Sequence, residues 1–524
     1  MHPLVRLLPL RSEAMALLSN EQPNLAIYLS GICFLISLVF LVLKFTRRTK
    51  SNLPPSPPKL PFIGNLHQLG TLPHRSFQSL SHKYGPLMLL HLGRVPTLVV
   101  SSADVAREIF QTHDVFFSNR PKVTAAEIFL YNCSDVAFAP YGEEWRKKRK
   151  ICVQELVGVK SVRSFEFIRV EEVAEMINCI REACASKKEV VNLSELVIAL
   201  TNNIMARCVL GQKYDTPDGR SSFGELGRKM LNQFTAFCVG DFFPSLGWVD
   251  VVIGQIPKLK ATLSSIDAFF DQVVAERKMK MEMDKGESDK KDFLNILLKL
   301  EEEGTLGFDL SQDVLKALLV DMFLGASDTT STTLEWTMAE LIRNPNTMRK
   351  AQEEVRRVVG LKTCVDETDV KQMKYLKCVV KESLRLHPSA PLLLPRETRS
   401  AVKLKGYDIP AKTRVMLNAW AIQRDPEFWN RPAEFLPERF ENSKVDFKGQ
   451  DFEFIPFGAG RRGCAGITFG TTMAEYAIAN LLYSFDWKLP KTGVTMNNID
   501  MTEKYGITVN KKVPLLLHPI PFSL

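Results

Sequence analysis

Thirteen residues near the C-terminus constrain this chain more than any other stretch. From Phe454 to Gly466 it reads FIPFGAGRRGCAG, four glycines around one cysteine. Glycine lets a backbone turn sharply and approach a flat ligand closely, where a β-carbon would intrude. Apolar residues then recur at helical spacing (Ile467, Phe469, Met473, Ala474, Ala477, Ile478, Leu481). Cys464 is therefore expected at a helix N-terminus, where the dipole and free N–H groups favour a thiolate over a thiol. A free cysteine is otherwise an ordinary core residue. Arg461 and Arg462 add cationic forks, one of them suited to a carboxylate of a bound cofactor.

A second feature lies at residues 311–343. Leu315, Leu318, Leu319, Met322, Phe323 and Ala326 recur at helical spacing and Asn344-Pro345 ends the pattern, which predicts a helix of about 50 Å. In its middle, Ser327 to Thr333 is an unbroken run of hydroxyl and carboxyl side chains. Such residues are poor helix formers that compete for backbone hydrogen bonds. One reading is a solvent-facing polar stripe. The other is a local opening of the helix, with room for a proton relay. In that relay Asp328 takes protons from solvent and the Thr329 hydroxyl donates a hydrogen bond.

The remaining chain is mostly helical in pattern. Two short strands are predicted in 86–102 and another pair around 402–417, so the class is mainly α with a small β portion. Glu382 and Arg385 stand three apart on a helix, alone only an exposed ion pair. Trp145 and Arg149, four apart, offer an indole N–H and a guanidinium to a carboxylate. With 45% hydrophobic residues and 524 residues, one large globular body is expected after the N-terminal region. The formal charge of +9 is modest and implies no nucleic-acid partner. Ten scattered cysteines show neither a disulfide framework nor zinc spacing.

Residues 25–43 carry no charge, long enough to cross a bilayer, and Lys44, Arg47, Arg48 and Lys50 follow. This predicts a single transmembrane anchor with everything after residue 50 in the cytosol. The sequons at Asn132 and Asn192 would then stay unglycosylated. The expected organisation is an extension at 1–24, the anchor at 25–43, a basic and proline-rich hinge at 44–61, and a catalytic domain at 62–524.

Phe457, Gly460, Arg462 and Cys464 fit the FxxGxRxC loop, and the chain resembles the cytochrome P-450 superfamily, most of all the plant A-type microsomal enzymes of specialised metabolism. Thiolate ligation of haem in that superfamily is an established case. The run Gly325 to Thr330 resembles its (A/G)GxDT(T/S) signature, except that Ala326 stands where glycine is usual. The resemblance implies the P-450 prism fold and haem b (iron protoporphyrin IX) with Cys464 as iron ligand. Trp145, Arg149, Arg396 and Arg462 are implied haem-propionate contacts. Glu382, Arg385 and Arg439 of PERF are implied as a buried structural triad. It further implies NADPH supplied through an NADPH-cytochrome reductase, O2, a small apolar substrate with a terpenoid first, and the endoplasmic reticulum membrane. Implied pocket segments are 124–137, 232–249, 321–329, 389–394 and 505–509. Alternatives are a haem-thiolate isomerase or dehydratase acting without O2, and a non-catalytic membrane-tethered haem protein.

Overall fold

The computed structural model describes residues 22–46, 52–186, 190–214, 222–283, 292–490 and 499–522. Most of the 1–24 extension, the basic flank Arg47, Arg48 and Lys50, and residues 284–291 of a charged stretch lie outside these. The chain divides into two units, Met1–Leu53 and Pro54–Leu524. In the first, Gln22–Thr46 is one helix whose apolar centre, Ile27–Val39, exposes its side chains; Tyr28 is 70% and Phe34 71% exposed. An exposed apolar helix surface of this kind favours a non-aqueous neighbour.

In the second unit the prolines lie along the body. Pro54 and Pro57 are buried, the Pro55 carbonyl accepts from Leu89 N–H at 2.9 Å, and Asn65 Nδ2 donates to the Pro57 and Pro58 carbonyls. Locked φ angles keep the strap extended, and the missing N–H groups leave only acceptors to satisfy.

Strands Leu87–Leu92 and Val95–Val100 form the expected hairpin, with Gly93 at φ +62° in its turn. Arg414–Leu417 joins the second strand in parallel, and Arg396–Glu397 pairs antiparallel with Arg414–Leu417. The Val402–Leu404 and Tyr407–Ile409 strands make a separate hairpin.

Helices supply the main core. Gln312–Arg343 runs unbroken for 32 residues, with Ser311 as its N-cap. It packs against Leu193–Leu210, which is apolar and long enough to cross a membrane but is mostly buried and hence a core helix. The polar run in the long helix stays helical instead of opening, because its hydroxyls bond back to carbonyls four residues earlier. Thr329 donates to Gly325, Thr332 to Asp328 and Thr333 to Thr329, at 2.7, 2.7 and 2.9 Å. Ser327 and Thr330 to Thr333 are buried, which excludes the solvent-facing stripe. The cysteine helix, Ile467–Ser484, crosses this core, so the cysteine loop and the polar run are held on two packed helices.

Candidate active site

The loop before the cysteine helix is shaped by its glycines. Gly458 and Gly460 have φ of +66° and +68°, and a β-carbon on Gly460 would sit 2.5 Å from an Asp114 oxygen. That carboxylate accepts from Arg461 N–H at 2.9 Å, so the close approach is what ties the loop down. Phe457 contributes its carbonyl, which accepts from Cys464 N–H at 2.9 Å, and its ring meets Phe447 edge-on.

Cys464 lies two residues before the N-cap Gly466, whose N–H points at Sγ from 3.3 Å. The side chain is exposed yet deep among protein atoms, so it lines an internal space and not the outer surface. Burial pushes the thiol up, outweighing the Gly466 N–H and Arg149, which act the other way. The expected dipole effect is present but smaller than desolvation.

The cationic donors separated in sequence meet beside this loop. Arg149, on helix Glu143–Cys152, donates to the Gly463 carbonyl at 2.6 Å. Arg462 lies over the Trp145 ring at 4.1 Å and donates to the carbonyls of Ser118, Val136 and Ala139. Trp145 Nε1 also donates to Val136, at 2.9 Å. Arg396, on its edge strand, reaches the Ala459 carbonyl at 2.9 Å and lies 3.6 Å from Asp114. Burial, and then its guanidinium neighbours, push Arg462 down to about 9; burial and Arg149 push Arg396 down to about 10 against the pull of Asp114.

Sequence reasoning missed three members of this neighbourhood. Arg120 is buried among the carbonyls of Ala137, Leu394 and Pro395, and burial pushes its pKa well down. Asp321, on the long helix, accepts from both Val136 and Ala137 N–H at 3.0 Å. Asp135 accepts from Phe138 N–H at 2.8 Å, and its other oxygen is buried without a partner. Burial raises both aspartates, which favours their neutral forms. A lone carboxylate in the apolar part of a predicted helix was the available signal for Asp321.

Asp328 and Thr329 point apart. The Asp328 carboxylate accepts from Thr508 on the hairpin between Glu503–Lys504 and Asn510–Lys511, while the Thr329 hydroxyl turns back to Gly325. Among the described residues no hydrogen bond joins the two side chains, so a proton passing between them needs a bridging water or substrate. Burial raises the Asp328 carboxyl, against hydrogen bonds from Thr508 and Asn510. Asp328 lines a cavity of about 420 Å³ with residues from three of the predicted pocket segments, among them Asn232, Phe323, Tyr505 and Ile507.

Glu382, Arg385 and Arg439 come together out of solvent. Arg385 makes two bonds to Glu382, at 2.7 and 2.8 Å, and Arg439 Nε one at 3.0 Å. Arg385 lies 5.2 Å from the centre of the Trp429 ring, which meets Phe454 of the cysteine loop, so the trio is packed to that loop through aromatic rings.

This donor set suits a flat, anionic, iron-bearing macrocycle. An accessible sulfur faces an internal space, glycines keep the loop free of β-carbons, and four arginines (Arg120, Arg149, Arg396 and Arg462) gather around three carboxyls, Asp114, Asp135 and Asp321. Buried cations in such excess call for an anionic partner.

Residues 54–517 match the Cytochrome P450 family. The chain is 51% identical to a phenylacetaldehyde oxime monooxygenase of Prunus mume, over 94% of each chain. It is 52% identical to cytochrome P450 71A1 of Persea americana, covering 94% of this chain and 99% of that one. A zebrafish cytochrome P450 solved with progesterone superposes with a TM-score of 0.72 at 26% identity, over 86% of this chain and all of the other.

Proposed function

We propose that this chain, which belongs to the cytochrome P450 family, oxidises an apolar small molecule of plant specialised metabolism. It is a plant A-type, haem-thiolate monooxygenase. The observation that carries the site reading is the Cys464 sulfur, open inside the protein, with half-buried Arg149 beside it and buried Arg396 and Arg462 around the same loop. Cys464 would hold the haem iron, and Trp145, Arg149, Arg396 and Arg462, now donating to backbone carbonyls, would hold its carboxylates as stronger charged partners. The bound haem supplies dioxygen activation. Phe457 and Gly460 shape the loop around it, and Glu382, Arg385 and Arg439 stiffen its support. The Thr329 hydroxyl, once released from the Gly325 carbonyl, would be the hydrogen-bond donor on the haem side of the long helix, and Asp328 would hold the proton that replaces one given up by it.

Electrons come from NADPH through a reductase, for which the exposed Lys150 on helix Glu143–Cys152 offers a cationic docking point; Lys147 is paired with Glu143 and Lys148 is buried against the Ser134 carbonyl. The anchor at 25–43 and hinge at 44–61 tether the catalytic domain at 62–524 to the endoplasmic reticulum membrane, on the cytosolic side. Exposed Phe62, Trp248, Val252 and Ile253 on the body suit a neighbouring lipid surface. The first substrates to test are terpenoids; the 51% relative adds phenylacetaldehyde oxime as the second.

The test is the carbon monoxide difference spectrum of the reduced protein in microsomes, with Cys464→Ser as control. A strongly red-shifted Soret band lost in the control is the expected result, and its absence from the parent protein overturns the assignment. Product formation without NADPH would favour the isomerase alternative. Thr329→Ala should divert electrons from product to peroxide, and unchanged coupling would remove Thr329 from the relay.

A further inference from the structure

The cavity of about 420 Å³ at Asp328 has a second carboxyl in its wall. Glu335 stands seven residues along the same helix, about 10 Å and nearly two full turns away, so both side chains project on one face. The cavity is enclosed by helix Leu193–Leu210, helix Ser222–Phe234, the long helix and the Glu503–Lys511 hairpin. Its rim includes the exposed side chains of Glu195, Arg228, Lys504 and Lys512, so it communicates with solvent. A space of that volume, lined by polar as well as apolar groups, has room for on the order of ten waters.

Glu335 is buried, and its contacts leave it able to exchange a proton. From helix Leu193–Leu210 the Ser194 hydroxyl donates to it, while Ser194 accepts from Leu515 N–H at 2.8 Å. From the hairpin, Lys511 brings a backbone N–H and a positive charge. Along its own helix the Asp328 charge reaches it. Burial raises the Glu335 carboxyl above the usual range, the Asp328 charge adds to this, and Ser194 and Lys511 oppose it.

We propose that Glu335 is a second proton-holding residue, upstream of Asp328, and that the cavity the two share is the intake through which solvent protons reach the long helix. Glu335 gives its proton through cavity water to the Asp328 carboxylate and takes another from bulk water, so one solvent proton enters per transfer and no other bond changes. Glu335 acts through Asp328, and the proposal rests on the relay role given to Asp328 above.

The experiment compares Glu335→Gln, Asp328→Asn and Ser194→Ala in the full-length, haem-loaded enzyme. Glutamine keeps the Ser194 contact but holds no mobile proton. Infrared difference spectra across pH should show a protonated-carboxyl band that shifts in D2O and is missing only in Glu335→Gln. Product per NADPH should fall about tenfold in that variant, less than the 10²–10⁴ of a directly acting acid, because cavity water leaves a slower route open. Its solvent isotope effect should rise, the alkaline limb of its coupling profile should disappear, and Glu335→Asp should restore part of both. Normal coupling in Glu335→Gln beside a defect in Asp328→Asn overturns the proposal and leaves the relay standing. Normal coupling in Asp328→Asn overturns both. A Ser194→Ala defect equal to that of Glu335→Gln makes the carboxyl a strut and likewise overturns it.

Discussion

Replacing Glu382 with alanine isolates the packing that supports the cysteine loop. The carboxylate accepts two bonds from Arg385, one from Arg439 Nε and one from Leu436 N–H at 2.8 Å. Glu382 and Arg385 have side-chain exposures of 0%. Arg385 would keep its carbonyl partners Gln423, Pro432 and Glu434 but lose its counter-charge. Breaking a buried pair from one side costs about 3–5 kcal/mol. An unfolding entropy of about 2.1 cal/mol/K per residue over roughly 470 residues gives about 1 kcal/mol/K, so Tm should fall by about 3–5 °C. The assay is thermal unfolding of the haem-loaded protein at one scan rate, with rescanning to establish reversibility. Glu382→Gln, which keeps an acceptor of the same shape, should lose less. A Tm within about 1 °C of the parent for Glu382→Ala would refute the reasoning, because the ion pair would then carry no net stability.

Arg462→Gln removes one charged donor from the buried cluster. A charge-assisted hydrogen bond contributes about 1.5–3 kcal/mol, so haem should transfer to a competing apoprotein about 10–100-fold more readily; parent-like retention would exclude Arg462 as a holder. Gly460→Ala puts a β-carbon 2.5 Å from Asp114 at a φ of +68°. That strain of about 1–3 kcal/mol should shrink the red-shifted carbon monoxide band, and an unchanged band would show that the loop yields. Glu503 lies among His74 at 3.2 Å and Arg75 at 2.8 Å. Burial works against its charge, but these partners hold its carboxyl down to about 2 from 4.5. The depressed pKa contributes about 3 kcal/mol that is present above pH 4.5 and lost as pH falls toward 2. The stability gap between parent and Glu503→Gln should therefore narrow below pH 4.5; a gap independent of pH would disprove the ionic origin.

Local chemistry explains what was legible in advance. The glycine-cysteine loop, the span of the long helix and the first hairpin are written in contiguous residues with helical or strand periodicity. The long helix was read correctly in extent and incorrectly in detail. Propensity argues for opening at Ser327 to Thr333, but the hydroxyls satisfy themselves on carbonyls one turn earlier in their own helix, and burial in the core then favours the unbroken form. Arg120 and Asp114 left almost no trace, and Asp135 and Asp321 were covered only as members of implied pocket segments, because nothing near each of them in sequence signals a partner far along the chain.

The sequence by itself determined the type of ligand atom, the helix-rich class and the anchor-like N-terminal run, since each depends on neighbours within a few turns. Only the tertiary structure decided that four arginines share one buried space, that Asp328 faces the Glu503–Lys511 hairpin while Thr329 faces its own helix, and that Glu335 shares the Asp328 cavity. Those facts depend on which distant segments pack together, and packing sets the desolvation and Coulomb energies that give identical side chains different proton affinities.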